Sequence, residues 1–119
     1  MLAMRTAAAG DASFRPGTLV SHGEESYSLV YSDFPRAAAL EARGREANGY
    51  VWQALVLYII QNEAPQYLDA LSFDPEAGMF CAVSSNLDAL RAVARALAKL
   101  EDPAVLARLA AVVDFSLYD

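Results

Sequence analysis

The 119-residue chain carries one cysteine, Cys81, and one histidine, His22. A nucleophilic enzyme needs a base beside its nucleophile, so these two are the thiol–imidazole pair on offer. Cys81 stands between Phe80 and Ala82, in a run where a thiol behaves as an inert, small core group. His22 precedes Gly23 in a polar connector and reads as a surface turn residue. Carboxylates come in neighbouring sets, Glu24 with Glu25, Glu101 with Asp102, and Asp74 near Glu76. Adjacent acids can share a proton and do acid–base work. Each set, however, falls at an expected turn or helix boundary, where acids cap amides and keep the surface solvated.

The remaining chemistry is thin. One histidine and one cysteine would leave a structural zinc to be completed by carboxylates, an uncommon donor set. No metal or cofactor is expected. Glycines are scattered singly, so Gly44 and Gly49 do not make a phosphate loop. Arg91, Arg95 and Lys99 recur every four residues and read as a solvated helix face. Fifteen acids against nine bases give a net charge of -6. That balance repels nucleic-acid phosphates and anionic lipid, and it favours a basic protein partner. A single cysteine excludes an intramolecular disulfide.

The elements that must position these groups can be read from pattern. With 55% hydrophobic residues, a chain of this length makes one domain with a core of its own. Residues 1–17 are read as a flexible lead-in ending in the turn Arg15-Pro16-Gly17, and 18–119 as a single domain. The opening stretch, Met1 to Gly10, is interrupted by Arg5 and Thr6 and is too short for an export signal. The longest apolar run, Tyr50 to Ile60, is far short of a membrane span. A soluble, cytoplasmic protein is expected.

Thr18–Ser21 and Tyr27–Ser32 alternate with a period of two around a glycine-bearing connector, which predicts a hairpin. Arg36–Arg43 predicts a helix stopped by Gly44. Asn48 is placed to cap a helix that begins with Tyr50 and runs until Pro65 stops the chain. It is apolar on nearly every face, so it is buried on several sides or forms a second interface. Strands around Phe73 and Phe80 flank Asp74-Pro75 and Gly78, a second hairpin whose turn Gly78 closes with left-handed backbone. Ser85 is the expected cap of a helix bearing Leu87, Leu90, Ala94 and Leu97. Asp102-Pro103 opens a last helix with Val105, Leu106, Leu109 and Val112-Val113 inward. The order is β-β-α-α-β-β-α-α. Because strands arrive as hairpins, the class is α+β, with an antiparallel or mixed sheet packed against about four helices.

Two stretches resemble the immunity protein 51 family of bacterial polymorphic toxin systems. Ala47-Asn48-Gly49-Tyr50-Val51-Trp52 is similar to the Gly-Asn-Gly-Tyr-acid-Trp stretch that opens the family's main helix. Leu71 to Phe80, with Phe73, Asp74, Pro75 and Gly78, looks like its hairpin, and a Leu- and Ala-rich helix follows. Ala47 and Val51 depart from the pattern, so if the family's acid contacts the toxin, this chain either binds differently or uses other carboxylates. The resemblance implies a non-catalytic protein that binds and silences a cognate toxin. Its motif residues Asn48, Gly49, Tyr50, Trp52, Phe73, Asp74, Pro75 and Gly78 all have structural explanations.

Candidate toxin contacts are therefore the acids outside the expected core, Glu24, Glu25, Asp33, Glu41 and Glu46, with Tyr50 or Trp52 as an apolar anchor if exposed. A second reading is a self-associating scaffold or sensor domain, a homodimer built on the apolar helix Tyr50–Ile60 or on an open sheet edge. The third is a hydrolase using Cys81, with His22 as its base, or a carboxylate pair.

Overall fold

Leu19, Leu29 and Ala82 lie side by side in register across three antiparallel strands, and all three are buried. Alternation along a strand sends every second side chain to one face, so this row marks the side on which the helices pack. The computed structural model describes residues 5–6, 12–23, 25–35 and 38–118. Its sheet has five strands, β1 (Arg5–Thr6), β2 (Thr18–Ser21), β3 (Tyr27–Tyr31), β4 (Ser72–Phe73) and β5 (Phe80–Ser84). They are ordered β1-β2-β3-β5-β4 with every neighbouring pair antiparallel. The two expected hairpins, β2–β3 and β4–β5, are joined by pairing of β3 with β5. The protein is α+β.

Among the described residues four helices complete it: α1 (Ala38–Glu41), α2 (Gly49–Glu63), α3 (Leu87–Leu100) and α4 (Pro103–Val112). Short 3-10 turns occupy Ala12–Phe14, Pro65–Ala70 and Phe115–Tyr118. Helix α2 is the hub. It buries Val51, Trp52, Ala54, Leu55, Val56, Ile59 and Ile60, each aliphatic side chain contributing about 1.5–3 kcal/mol by leaving water. Trp52 is 0% exposed, with the Phe34 ring tilted against it at 5.1 Å between ring centroids and Tyr31 meeting Phe34 edge-on. Most of the apolar surface of α2 is covered within the chain, with Tyr58 left partly exposed toward α4.

The sequence signals placed elements well and details less well. Helix α3 is capped by Asn86, whose Oδ1 accepts from Asp88 and Ala89, and not by Ser85. Ser84 holds that cap, its Oγ accepting from the Asn86 amide while donating to the Ala70 carbonyl. Gly78 does not adopt the left-handed region. Glu76 and Met79 close the turn by exchanging amide–carbonyl bonds, and positive φ falls instead at Gly23, Gly44 and Glu25. Val112 points outward and Val113 inward, because the helix ends between them. Helix α1 is shorter than Arg36–Arg43, and Arg36 and Ala37 lie outside the described residues. Within 1–17, to which the sequence assigns no packing role, Arg5–Thr6 pairs with β2 and Phe14 is buried.

Candidate protein-interaction site

The start of α2 is held from three directions. Asn48 has extended backbone, and its Oδ1 accepts from the Val51 amide at 2.9 Å, satisfying one of the free donors of the first turn. The amide of Gly49 donates to the Ala77 carbonyl at 3.3 Å. A Cβ on Gly49 would stand 2.1 Å from the carbonyl oxygens of Glu76 and Met79. Only glycine lets the β4–β5 turn approach this closely. Asn48-Gly49 and the Asp74–Gly78 turn, far apart in sequence, therefore form one contact.

Immediately past that contact, Tyr50 is 56% exposed. It borders an open cleft of about 520 Å³, whose walls include Arg45, Glu46, Asn48, Ala54 and Phe115. The Phe115 ring is flanked by two guanidinium groups, Arg43 at 5.8 Å and Arg45 at 5.3 Å from its centroid. Arg43 also donates to the carbonyls of Ala110 and Val113. These cations are thus spent on fixing the chain after α4 against the α1–α2 loop. What the cleft presents outward is an aromatic ring, an apolar floor and the Glu46 carboxylate.

The other sequence-nominated residues are dispersed. Glu41 is exposed at the end of α1. Asp33 follows β3, its carbonyl accepting from the Tyr31 hydroxyl at 3.0 Å. Asp74 and Glu76 belong to the turn that meets Gly49, so they share an end of the sheet with Asp33. Burial raises the pKa of Tyr31, with Glu101 and Asp33 adding to the rise, which puts those two acids near the same end. Glu25 is elsewhere, at the far end of β3 in a recess with Tyr27, Asp88 and Arg91. Glu24 lies outside the described residues. Trp52, nominated as an anchor if exposed, presents nothing to a partner because it is sealed in the core. The sequence passed over Arg45 and Phe115. Their one sequence signal was an aromatic residue soon after the last helix and two closely spaced arginines before α2.

The thiol and imidazole are nearer than their sequence separation suggests. His22 Nε2 lies 2.6 Å from Ser28 Oγ, and the Ser28 hydroxyl hydrogen-bonds the Cys81 thiol. Ser28 therefore stands between them. Cys81 is 6% exposed, and burial pushes its pKa up, against a smaller lowering by the Ser28 hydrogen bond. A thiol held in its protonated form is the reverse of an activated nucleophile. Among the described residues, no group of three or more His, Cys, Asp or Glu side chains is placed to hold a metal ion. No helix of the described residues is long and apolar enough to cross a membrane.

Comparison with known proteins adds one positive result. The family model for immunity protein 51 matches residues 18–112. Searches of curated proteins and of solved structures each return no match.

Proposed function

This chain belongs to the immunity protein 51 family, and from that premise we propose that it silences a cognate protein toxin by stoichiometric binding, with no bond made or broken. The observation that carries the reading is the exposed Tyr50 ring beside Glu46, at the head of a helix whose next aromatic residue, Trp52, is fully buried. A half-exposed tyrosine on a rigid helix start is the side chain that dominates protein interfaces at small entropic cost. The Asn48 cap and the Gly49 contact fix its direction before any partner arrives, which lowers the ordering cost of association.

The acids supply the long-range part. A net charge of -6 attracts a basic toxin, for instance one shaped to hold a polyanion, and speeds encounter without adding much to final affinity. Glu46 borders the proposed contact, Asp74 and Glu76 belong to the turn that meets Gly49, and Glu41 and Asp33 are the further candidates. The work is proposed to take place in the bacterial cytoplasm, where a toxin-producing cell needs protection.

The test is co-expression of the toxin encoded beside this gene, with and without the chain, followed by purification of the pair. Rescue of growth and co-elution in equal amounts are expected. Equal killing in both cultures, together with separate elution, would end the proposal.

A further inference from the structure

Two large hydrophobic side chains are exposed among the described residues, Tyr50 and Val112. The first belongs to the proposed toxin contact. Val112 lies on the rim of a different cleft, of about 480 Å³, between the C-terminal half of α2 and α4. Its apolar wall comes from Tyr58, Ile59, Val105 and Leu109, and its charges from Glu63, Lys99 and Arg108. Glu63 and Lys99 form an ion pair. Arg108 is exposed, and none of the described residues pairs with it.

From this cleft we propose that two copies of the chain associate about a two-fold axis, each inserting Val112 between α2 and α4 of the other. Charge and symmetry favour this occupant. Such an interface demands that the same patch carry both halves of every contact. The patch does so: Val112 is a knob beside an apolar slot. Arg108, one turn before Val112 on α4, is a cation that needs a carboxylate, and Glu63 stands on the opposite wall. Pairing of Arg108 with the second copy's Glu63 occurs twice and turns each Glu63–Lys99 pair into a three-membered network. The patch carries both signs of charge, Glu63 with Lys99 and Arg108, so a two-fold arrangement can set the cation of one copy against the acid of the other.

The arrangement leaves the other end of α2 free. Tyr50 and Asn62 are twelve residues apart in the helix, about 18 Å at 1.5 Å per residue, so a pair of copies can present two Tyr50 sites at once.

Sedimentation velocity on the intact chain tests this, from micromolar to near-millimolar concentration. A concentration-dependent species of twice 12.8 kDa is expected. Val112→Glu should weaken it by at least about tenfold, because the substitution drives a charge into an apolar slot. Val112 is exposed in the single chain, so this variant folds, and the fluorescence of the buried Trp52 verifies that it has. Arg108→Glu should also weaken the pair, and Arg108→Glu combined with Glu63→Arg should restore it. A monomer at every concentration overturns the proposal. So does a dimer that ignores Val112→Glu, or one lost instead in Tyr50→Ala.

Discussion

The Gly49 amide donates to the carbonyl oxygen of Ala77, tying the first residue of α2 to the tip of the β4–β5 turn. This contact joins two stretches separated by some twenty-five residues of chain. One is the start of a helix, the other is the lid that its backbone must touch. Placing Tyr50 depends on both.

Gly49→Ala should therefore be among the most damaging small substitutions in the protein. The new methyl would lie 2.1 Å from two backbone oxygens, and backbone cannot swing aside as a side chain can. A loss of about 3 kcal/mol or more is expected, read from urea unfolding. Asn48→Ala should cost about 1 kcal/mol through the lost cap, and Asn48→Asp should recover most of it. If Gly49→Ala unfolds like the parent protein, the close approach described here is wrong.

Tyr50 and Trp52, two residues apart, should separate binding from stability. Tyr50→Ala should shift stability by no more than about 0.5 kcal/mol, since the ring is largely in water, yet weaken toxin binding by about 2 kcal/mol. Trp52→Ala should cost about 3–5 kcal/mol of stability. Titration calorimetry and urea melts on both variants check the pair. A Tyr50→Ala protein that binds as tightly as the parent would move the contact elsewhere.

Cys81 should be chemically silent in the folded state. Reaction with a disulfide reagent should be on the order of 100-fold slower in buffer than in urea, because the thiol is buried and protonated. Its raised pKa also fixes a sign for stability. Below the ordinary thiol pKa, about 8.5, folded and unfolded chains both hold the proton and stability is flat. Above it the unfolded chain ionises first, so stability falls as pH rises, until the folded thiol ionises too. Between about pH 8 and pH 9.5 the fall should shrink in Cys81→Ala. An equal fall in both proteins would assign it to other groups.

Association with the toxin should slow with salt. Screening shortens the reach of the excess acid, and the on-rate should drop by at least about tenfold between low and near-molar ionic strength. Stopped-flow mixing measures this. A flat on-rate would remove charge steering from the account and leave inhibition itself standing.

The fold was readable where one residue type has one job. Asp102-Pro103 could hardly do other than start a helix, and the alternation of Tyr27, Leu29 and Tyr31 announced a strand. Asn48 as a cap and Pro65 as a stop framed α2. What could not be read were choices between neighbours. Ser84, Ser85 and Asn86 can all cap, and the decision fell to Asn86 because Ser84 was engaged by Ala70. Val112 and Val113 look alike in sequence, but the helix ends between them and only one reaches the core. The burial of Phe14 depends on Arg91, 4.9 Å above its ring, a partner 77 positions away. The candidate site was half readable: Tyr50 and Trp52 were both flagged, and only the three-dimensional packing divided anchor from core.

The aromatic clasp at the carboxy-terminal end carries a practical lesson. Phe115 sits between Arg43 and Arg45, and Val113 and Phe14 are likewise buried, yet all three aromatic or aliphatic plugs lie beyond the matched span of 18–112. A fragment trimmed to that span would lose them together, baring the surfaces of α2 and α3 that they cover and leaving three arginines without the rings they face. The packed core thus reaches beyond the matched span on both sides.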